Sequence, residues 1–226
     1  MILRISHLNI MPLRNAVGFT VLNLIKFYYS ITIFKKEPIS NILKYCLRTQ
    51  RKTLNSYEPF IKYGERLNEY FIIQTGMIKA LIKIKMNYFL LKNCNLMSET
   101  DFVKNLKKLQ TKPLDFKGEE RPNKDDDESV YEEVLDIMQF GEKDMFGEYF
   151  VAKGQKVDVF FVPVLPTDII CIKADDLKKV NQQLQNIIVK YSKPIYDVDI
   201  CFRKFYKNLT WDKNKTDLLK SVINKY

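Results

Sequence analysis

The chain has 226 residues, of which 46% are hydrophobic and 13% aromatic, so it has enough apolar side chains for a packed core. Its net charge of +10 favours acidic partners, but no nucleic-acid-binding motif accompanies the charge, and we predict no nucleic-acid partner. The single histidine, His7, excludes a serine–histidine–aspartate triad and a histidine-rich metal site, and the four cysteines are too widely spaced for a zinc motif. We therefore expect a binding module with no enzymatic activity, metal or cofactor.

Residues 1–39 form a basic and apolar N-terminal extension. The stretch from Val17 to Phe34 is apolar apart from Lys26 and a few small polar residues, and no acidic residue occurs before position 37. Three interpretations stay open: a membrane segment of unfavourable length and charge, a mitochondrial-type presequence, or an extension that packs on the domain. Because the cysteines are typical of free thiols in a reducing compartment, we expect a cytoplasmic protein, with membrane-associated and mitochondrial locations as alternatives.

The first strand-rich stretch covers residues 58–85 and follows a weakly helical, basic segment. In its second half, apolar residues occur at every second position, which predicts a half-buried strand. These residues are Ile78, Ala80, Ile82 and Ile84. Gly64 and Gly76 lie where this part of the chain is expected to turn.

Residues 87–130 interrupt the strand pattern and are predicted to be an insertion. Residues 99–110 have apolar side chains at helical spacing, which predicts a helix. Residues 119–136 are rich in acidic side chains and contain Pro122, which favours a solvated surface loop. A calcium site at residues 125–128 is disfavoured because the spacing of the carboxylates does not match an EF-hand loop.

Strands are predicted again over residues 134–140 and 157–172. Pro163 and Pro166 place the second of these strands at an edge or a bend. Residues 173–191 have helical spacing, and residues 196–226 read as an amphipathic helical tail. Strands in the middle of the chain with helices at its ends predict a mainly β fold, a small barrel with flanking helices.

Three segments carry a resemblance to a known family. They are "IKYGERLNEYFIIQTGMIKALI" with Gly64, Glu65 and Gly76, "MFGEYFVAKGQKVDVFF" with Phe146, Gly147 and Glu148, and "TDIICIKADDLKKV". In this order they resemble the cyclic nucleotide-binding domain family, over about residues 40–195. The resemblance implies an eight-stranded β-roll, a jelly-roll type of barrel, with residues 58–85 and 134–172 as its two halves.

The second segment resembles the family's phosphate-binding cassette, whose core is Phe-Gly-Glu. The resemblance implies that Phe146, Gly147 and Glu148 line the ligand site. Gly147 would let backbone N–H groups approach the cyclic phosphate closely, and Glu148 would accept a hydrogen bond from the ribose hydroxyl. The alternative for Glu148 is a loop carboxylate held by water or by backbone N–H groups.

The cassette departs from the family pattern at its cationic position. The arginine that pairs with the phosphate in the family falls on Val157, and a valine side chain cannot pair with an anion. Lys156 would replace it only if the strand began with a bulge, and then as a point charge. Tyr149 and Phe150 are larger than the family's residues at these positions, and we expect them to fill the pocket. The ligand-site residues predicted from the sequence are thus Phe146, Gly147, Glu148, Tyr149, Lys156 and Val157.

We therefore expect a regulatory or scaffold domain with a degenerate cassette, in which binding of cAMP or cGMP is weak or lost, together with a protein partner. The alternatives are a functional nucleotide sensor that controls a kinase or channel, and a purely structural component of a larger assembly. Membrane association stays open. The expected organisation is an extension over residues 1–39, the cyclic-nucleotide-binding-like domain over 40–195 with its insertion, and a helical tail over 196–226.

Overall fold

A computed structural model of the chain describes residues 11–111 and 130–223. The described residues divide into two compact units. The first unit comprises the residues up to Lys79 and those from Gln139 to Lys193, and the second comprises Ala80 to Met138 and the residues from Pro194 onward. The domain boundaries expected from the sequence stay a prediction. His7, most of the acidic segment and the rejected calcium site lie outside the described residues.

The described ranges contain eight α-helices and seven strands. The helices there are α1 (Met11–Ser30), α2 (Ile39–Arg48), α3 (Tyr88–Asn93), α4 (Glu99–Thr111), α5 (Glu148–Lys153), α6 (Ala174–Val180), α7 (Gln182–Tyr191) and α8 (Val198–Ile223). The strands there are β1 (Gln50–Leu54), β2 (Glu69–Thr75), β3 (Ile78–Asn87), β4 (Val130–Phe140), β5 (Met145–Phe146), β6 (Phe160–Pro163) and β7 (Thr167–Lys173).

The first unit contains an antiparallel sheet with the strand order β1-β7-β2-β5. Strand β2 is central, so Phe71 lies between Phe146 of β5 and Cys171 of β7. A second sheet has the strand order β4-β3-β6. In β3 the residues at every second position from Ile78 are buried, which confirms the strand predicted from the alternation.

One face of the first sheet packs against the helices of the same unit. Side chains of β2 point alternately to the two faces, and Tyr70 and Ile72 belong to the helix-facing cluster. Helix α1 and the turn after it add Leu24, Tyr28 and Phe34 to this cluster, so this part of the N-terminal extension packs on the domain. None of the helices in the described ranges is both long enough and apolar enough to cross a bilayer.

Two predicted elements are divided in the structure. The strand predicted over residues 157–172 separates into β6 and β7, because a proline has no N–H to donate to a ladder and the chain bends between Pro163 and Pro166. The helix predicted over residues 173–191 separates at Asn181, whose side chain accepts hydrogen bonds from the backbone N–H groups of Gln183 and Leu184 at 2.9 and 3.1 Å. Asn181 thereby begins α7 as its N-cap.

The described residues contain seven strands rather than the eight of the expected roll. Near residues 58–66 the chain makes only isolated bridges, between Ile61 and Phe161 and between Arg66 and Lys156. In the described residues the strands therefore form two separate open sheets and not a closed barrel.

In the second unit, α4 packs against α8. The ring of Phe102 lies 5.1 Å from that of Tyr206, and Arg203 forms an ion pair with Glu99 at 2.9 Å. Helix α4 confirms the helix predicted over residues 99–110. The apolar side that defined the prediction is buried, since Phe102 and Leu106 are fully inaccessible to solvent.

Candidate ligand-binding site

The loop between β5 and α5 carries the Phe-Gly-Glu motif of the first unit. Gly147 precedes α5 and has φ +83°, a left-handed conformation that favours glycine. A Cβ atom at this position would lie 3.2 Å from side-chain atoms of Leu67 and Phe71. The sequence therefore needs glycine here both for the turn and for the close approach of β2. Phe146 is fully buried, and its ring stacks on that of Phe71 at 5.3 Å.

Glu148 is the first residue of α5, and its carboxylate lies in a partly buried polar cluster. Its Oε2 atom is buried and has no hydrogen-bond partner among the described residues. Burial raises the pKa of the Glu148 carboxyl, and the hydrogen bond from its own backbone N–H lowers it by less. A buried acceptor without a donor is costly, so this side chain is suited to accepting a hydrogen bond from a hydroxyl group.

Tyr70 and Gln185 complete this cluster beside α5. The Nε2 of Gln185 donates to the Tyr70 hydroxyl at 2.7 Å, whereas Oε1 of Gln185 is buried without a partner among the described residues. Burial raises the pKa of Tyr70, the hydrogen bond with Gln185 lowers it, and the nearby charge of Glu148 raises it. The three side chains thus place two unsatisfied acceptor atoms in one buried region of the unit.

Val157 lies opposite the Gly64–Glu65 turn. Its backbone N–H donates to the Glu65 carbonyl at 2.8 Å, and its carbonyl accepts from the N–H of Gly64 at 2.7 Å. The side chain is 1% exposed, while Lys156 and Asp158 on either side are exposed. Position 157 therefore offers a buried apolar side chain, and no positive charge, to a phosphate.

Lys156 is paired across an isolated bridge with Arg66, a residue that sequence reasoning did not select. Both side chains are exposed, so two positively charged residues lie on the surface next to Val157. Arg66 follows the Gly-Glu turn of the first motif directly, but 90 positions separate it from Lys156. Only the long-range pairing of these segments brings the two residues together, and no local pattern signals it.

Phenylalanine rings from β4, β5, α5 and β6 pack together beside the Phe-Gly-Glu motif. Phe146 and Phe161 have their ring centroids 5.0 Å apart, and Phe140 and Phe150 contact Phe161 at 6.0 and 6.4 Å. The half-buried Tyr149 packs edge-on against Phe150 at 5.6 Å. Apolar side chains therefore fill the interior next to the cassette. Among the described residues, no group of three histidine, cysteine or acidic side chains is placed to hold a metal ion.

An antiparallel roll with flanking helices and a glycine-initiated helix between β5 and β6 defines the fold of the cyclic nucleotide-binding domain. Comparison with solved structures confirms this fold, which the sequence predicted. No protein-family model matches the chain, and no curated protein matches it either.

Three solved structures carry the fold comparison. The regulatory domain of protein kinase A from Toxoplasma gondii, in a co-crystal with cAMP, matches 78% of this chain and 51% of its own, with a TM-score of 0.52 and 11% identity. The regulatory subunit of a cAMP-independent protein kinase A from Trypanosoma brucei matches 80% of this chain and 51% of its own, with a TM-score of 0.52 and 12% identity. The corresponding subunit from Trypanosoma cruzi, bound to guanosine, matches 87% and 52%, again with a TM-score of 0.52 and 12% identity. The chain thus spans about half the length of each.

Proposed function

We propose that the chain is a regulatory or scaffold domain of cyclic-nucleotide-binding type whose phosphate-binding cassette is degenerate, so that cAMP and cGMP bind weakly or not at all. The observation that carries this proposal is the buried valine at position 157, where the family resemblance expects an arginine. The protein kinase A regulatory structures of similar fold support a regulatory role and a protein partner for this domain.

The missing cation has a large expected effect on affinity. A cyclic phosphate is an anion, and removal of one partner of a buried charge pair typically costs about 2–5 kcal/mol. This loss corresponds to a dissociation constant that is roughly 30-fold to several-thousand-fold larger. The packed phenylalanine rings add to the effect, because a bound nucleotide would have to displace Phe150 or a neighbouring ring.

A functional nucleotide sensor is the second candidate, and the pair of Lys156 and Arg66 favours it. In that case the two exposed cations replace the arginine by holding the phosphate beside Val157. Lys156→Ala would then lower the affinity for cAMP at least about tenfold, as expected for the loss of one charge-assisted contact. The double variant Lys156→Ala/Arg66→Ala would lower it further. An exposed lysine elsewhere, Lys178→Ala, is the matched control.

Isothermal titration calorimetry of the full chain tests the proposal, with cAMP, cGMP and guanosine as ligands. Guanosine has a ribose but no phosphate, so its binding depends on the contact with Glu148 and not on the missing arginine. We expect no binding of either cyclic nucleotide tighter than about 100 μM. Val157→Arg restores the missing cation and should strengthen cAMP binding at least tenfold if the variant is folded by circular dichroism. A low-micromolar or tighter dissociation constant for cAMP or cGMP with the unmodified chain would refute the degenerate cassette.

A further inference from the structure

A groove of about 580 Å³ lies within the second unit, between β4 and the first half of α8. Strand β4 contributes the consecutive residues Glu133 to Ile137. The other wall extends from Ile195, just before α8, to Asp212. The phosphate-binding cassette belongs to the other unit, so this groove is a separate feature of the chain.

The residues that line the groove indicate that it follows the edge of β4. In a strand, successive side chains point to opposite faces, so a cavity on one face would contact only every second residue. Here five residues in a row line it, which is the pattern expected along the hydrogen-bonding edge. Strand β4 is the terminal strand of the order β4-β3-β6, and its outer edge has no neighbouring strand among the described residues. An open edge of this kind is a template for an additional strand.

The side chains of the groove combine apolar contacts with negative charge. Val134 and Ile200 face solvent, with 51% and 68% of their surfaces exposed. Among the described residues that line the groove, four are acidic and one is a lysine, although the chain as a whole carries a charge of +10. The acidic residues are Glu133, Asp136, Asp197 and Asp212, and the basic one is Lys204. This local reversal of charge favours a basic occupant.

We propose that an extended segment of a protein partner, with alternating apolar and basic side chains, pairs with the open edge of β4 and packs against α8. Five strand residues span about 16 Å, and the α8 wall from Asp197 to Asp212 spans about 23 Å, so the groove accommodates a strand of four or five residues. Main-chain hydrogen bonds to β4 provide affinity, and alternate side chains reach the apolar and acidic walls. This interaction goes beyond the proposed function and does not depend on nucleotide binding.

Fluorescence anisotropy of the full chain with a labelled synthetic peptide tests the proposal. The probe is a seven-residue peptide of alternating lysine and valine. One control peptide has glutamate in place of lysine, and a second has proline in place of the central valine, which removes a backbone donor. We expect binding in the micromolar range for the probe and at least tenfold weaker binding for both controls. Hydrogen exchange of the backbone amides of residues 133–137 should slow when the probe is bound.

Variants of the groove separate this interaction from non-specific attraction. Ile200→Lys should weaken probe binding at least tenfold, because it removes an apolar contact and adds a positive charge that repels the lysine side chains. Val134→Lys, on the strand side, is the second test variant. Leu218→Lys is the matched control, since Leu218 is 67% exposed on the same helix but does not line the groove. Equal binding of all three peptides, unchanged amide exchange at residues 133–137, or unaltered affinity in both groove variants would overturn the proposal. So would a dimer in sedimentation velocity that Ile200→Lys converts to monomer, because the groove would then hold a second copy of the chain.

Discussion

Gly64 and Gly76, the two glycines of the first sequence motif, allow the packing around the β2–β3 turn to be tested by alanine substitution. Gly76 connects β2 to β3 with φ +96°, and Gly64 lies in the turn opposite Val157 with φ +86°. A Cβ at Gly76 would lie 2.5 Å from Oγ1 of Thr167 and 2.7 Å from the carbonyl oxygen of Pro166. A Cβ at Gly64 would meet no atom within 4 Å. Substitution by alanine therefore strains the backbone at both positions but creates a clash at only one.

The expected loss of stability follows from these contacts. A left-handed conformation costs a residue other than glycine about 1–2 kcal/mol, which is the whole effect expected for Gly64→Ala. Gly76→Ala must in addition displace Thr167, a buried polar side chain whose Oγ1 donates to the Leu165 carbonyl at 2.7 Å and accepts from the N–H of Met77 at 3.1 Å. Disruption of these bonds adds about 1–3 kcal/mol. The total for Gly76→Ala is then about 2–5 kcal/mol.

Urea unfolding followed by circular dichroism measures both variants against the unmodified chain, and thermal unfolding gives a second readout. For a chain of this length, 1 kcal/mol corresponds to roughly 2–4 °C in Tm, so Gly76→Ala should melt about 2–12 °C below Gly64→Ala. Equal destabilisation of the two variants would contradict the close approach of the β2–β3 turn to Thr167. The arrangement of the roll around this turn would then need revision.

Further predictions concern buried ionisable groups and the cluster near α5. Because burial raises the pKa of Glu148 in the folded state, its stabilising contribution is complete below the unfolded pKa and is lost as the pH rises through the folded pKa. Glu148→Gln should therefore raise the free energy of unfolding at neutral pH and have little effect in acid, measured by urea titration across that range. Burial raises the pKa of the Cys171 thiol from its ordinary 9.0 to about 11, so its thiolate fraction at pH 8 falls roughly 100-fold. Mass spectrometry after iodoacetamide treatment should find the half-buried Cys201 alkylated well before Cys171, and equal rates would refute this prediction. Tyr70→Phe should destabilise the unit by about 1 kcal/mol in the same urea assay, because it leaves Nε2 of Gln185 without its acceptor.

Local sequence patterns predicted the elements of the fold wherever burial follows a simple period. The alternation in β3 and the helical spacing in α4 are examples, because each element buries one regular face of its side chains. The division of the helix at Asn181 was missed, although asparagine is a frequent N-cap, since the apolar spacing continues across it. The isolated bridges near residues 58–66 were also missed, because they depend on segments far apart in the sequence.

The site residues selected from the sequence stay a prediction, and the side chains that surround them could be learned only from the structure. Gly147 and Val157 were selected from the motif alone. The left-handed turn at Gly147 and the burial of Val157 are consistent with that selection. The position of Arg66 across from Lys156 and the polar contacts around Glu148 arise from tertiary packing. A sequence pattern does not encode which side chain lies opposite a carboxylate when the partners come from different strands and helices.

Glu148 distinguishes a ligand-binding domain from a purely structural one. A buried carboxylate oxygen without a donor costs about 1–3 kcal/mol, and a domain that only holds a partner gains nothing from it. A ligand hydroxyl would supply the missing donor, and the valine at position 157 does not prevent that contact when the ligand carries no phosphate. If Glu148→Gln stabilises the free chain and abolishes the heat of guanosine binding, the carboxylate serves a ligand. If it stabilises the chain while no nucleoside or cyclic nucleotide produces any heat with the unmodified protein, the result favours a purely structural domain.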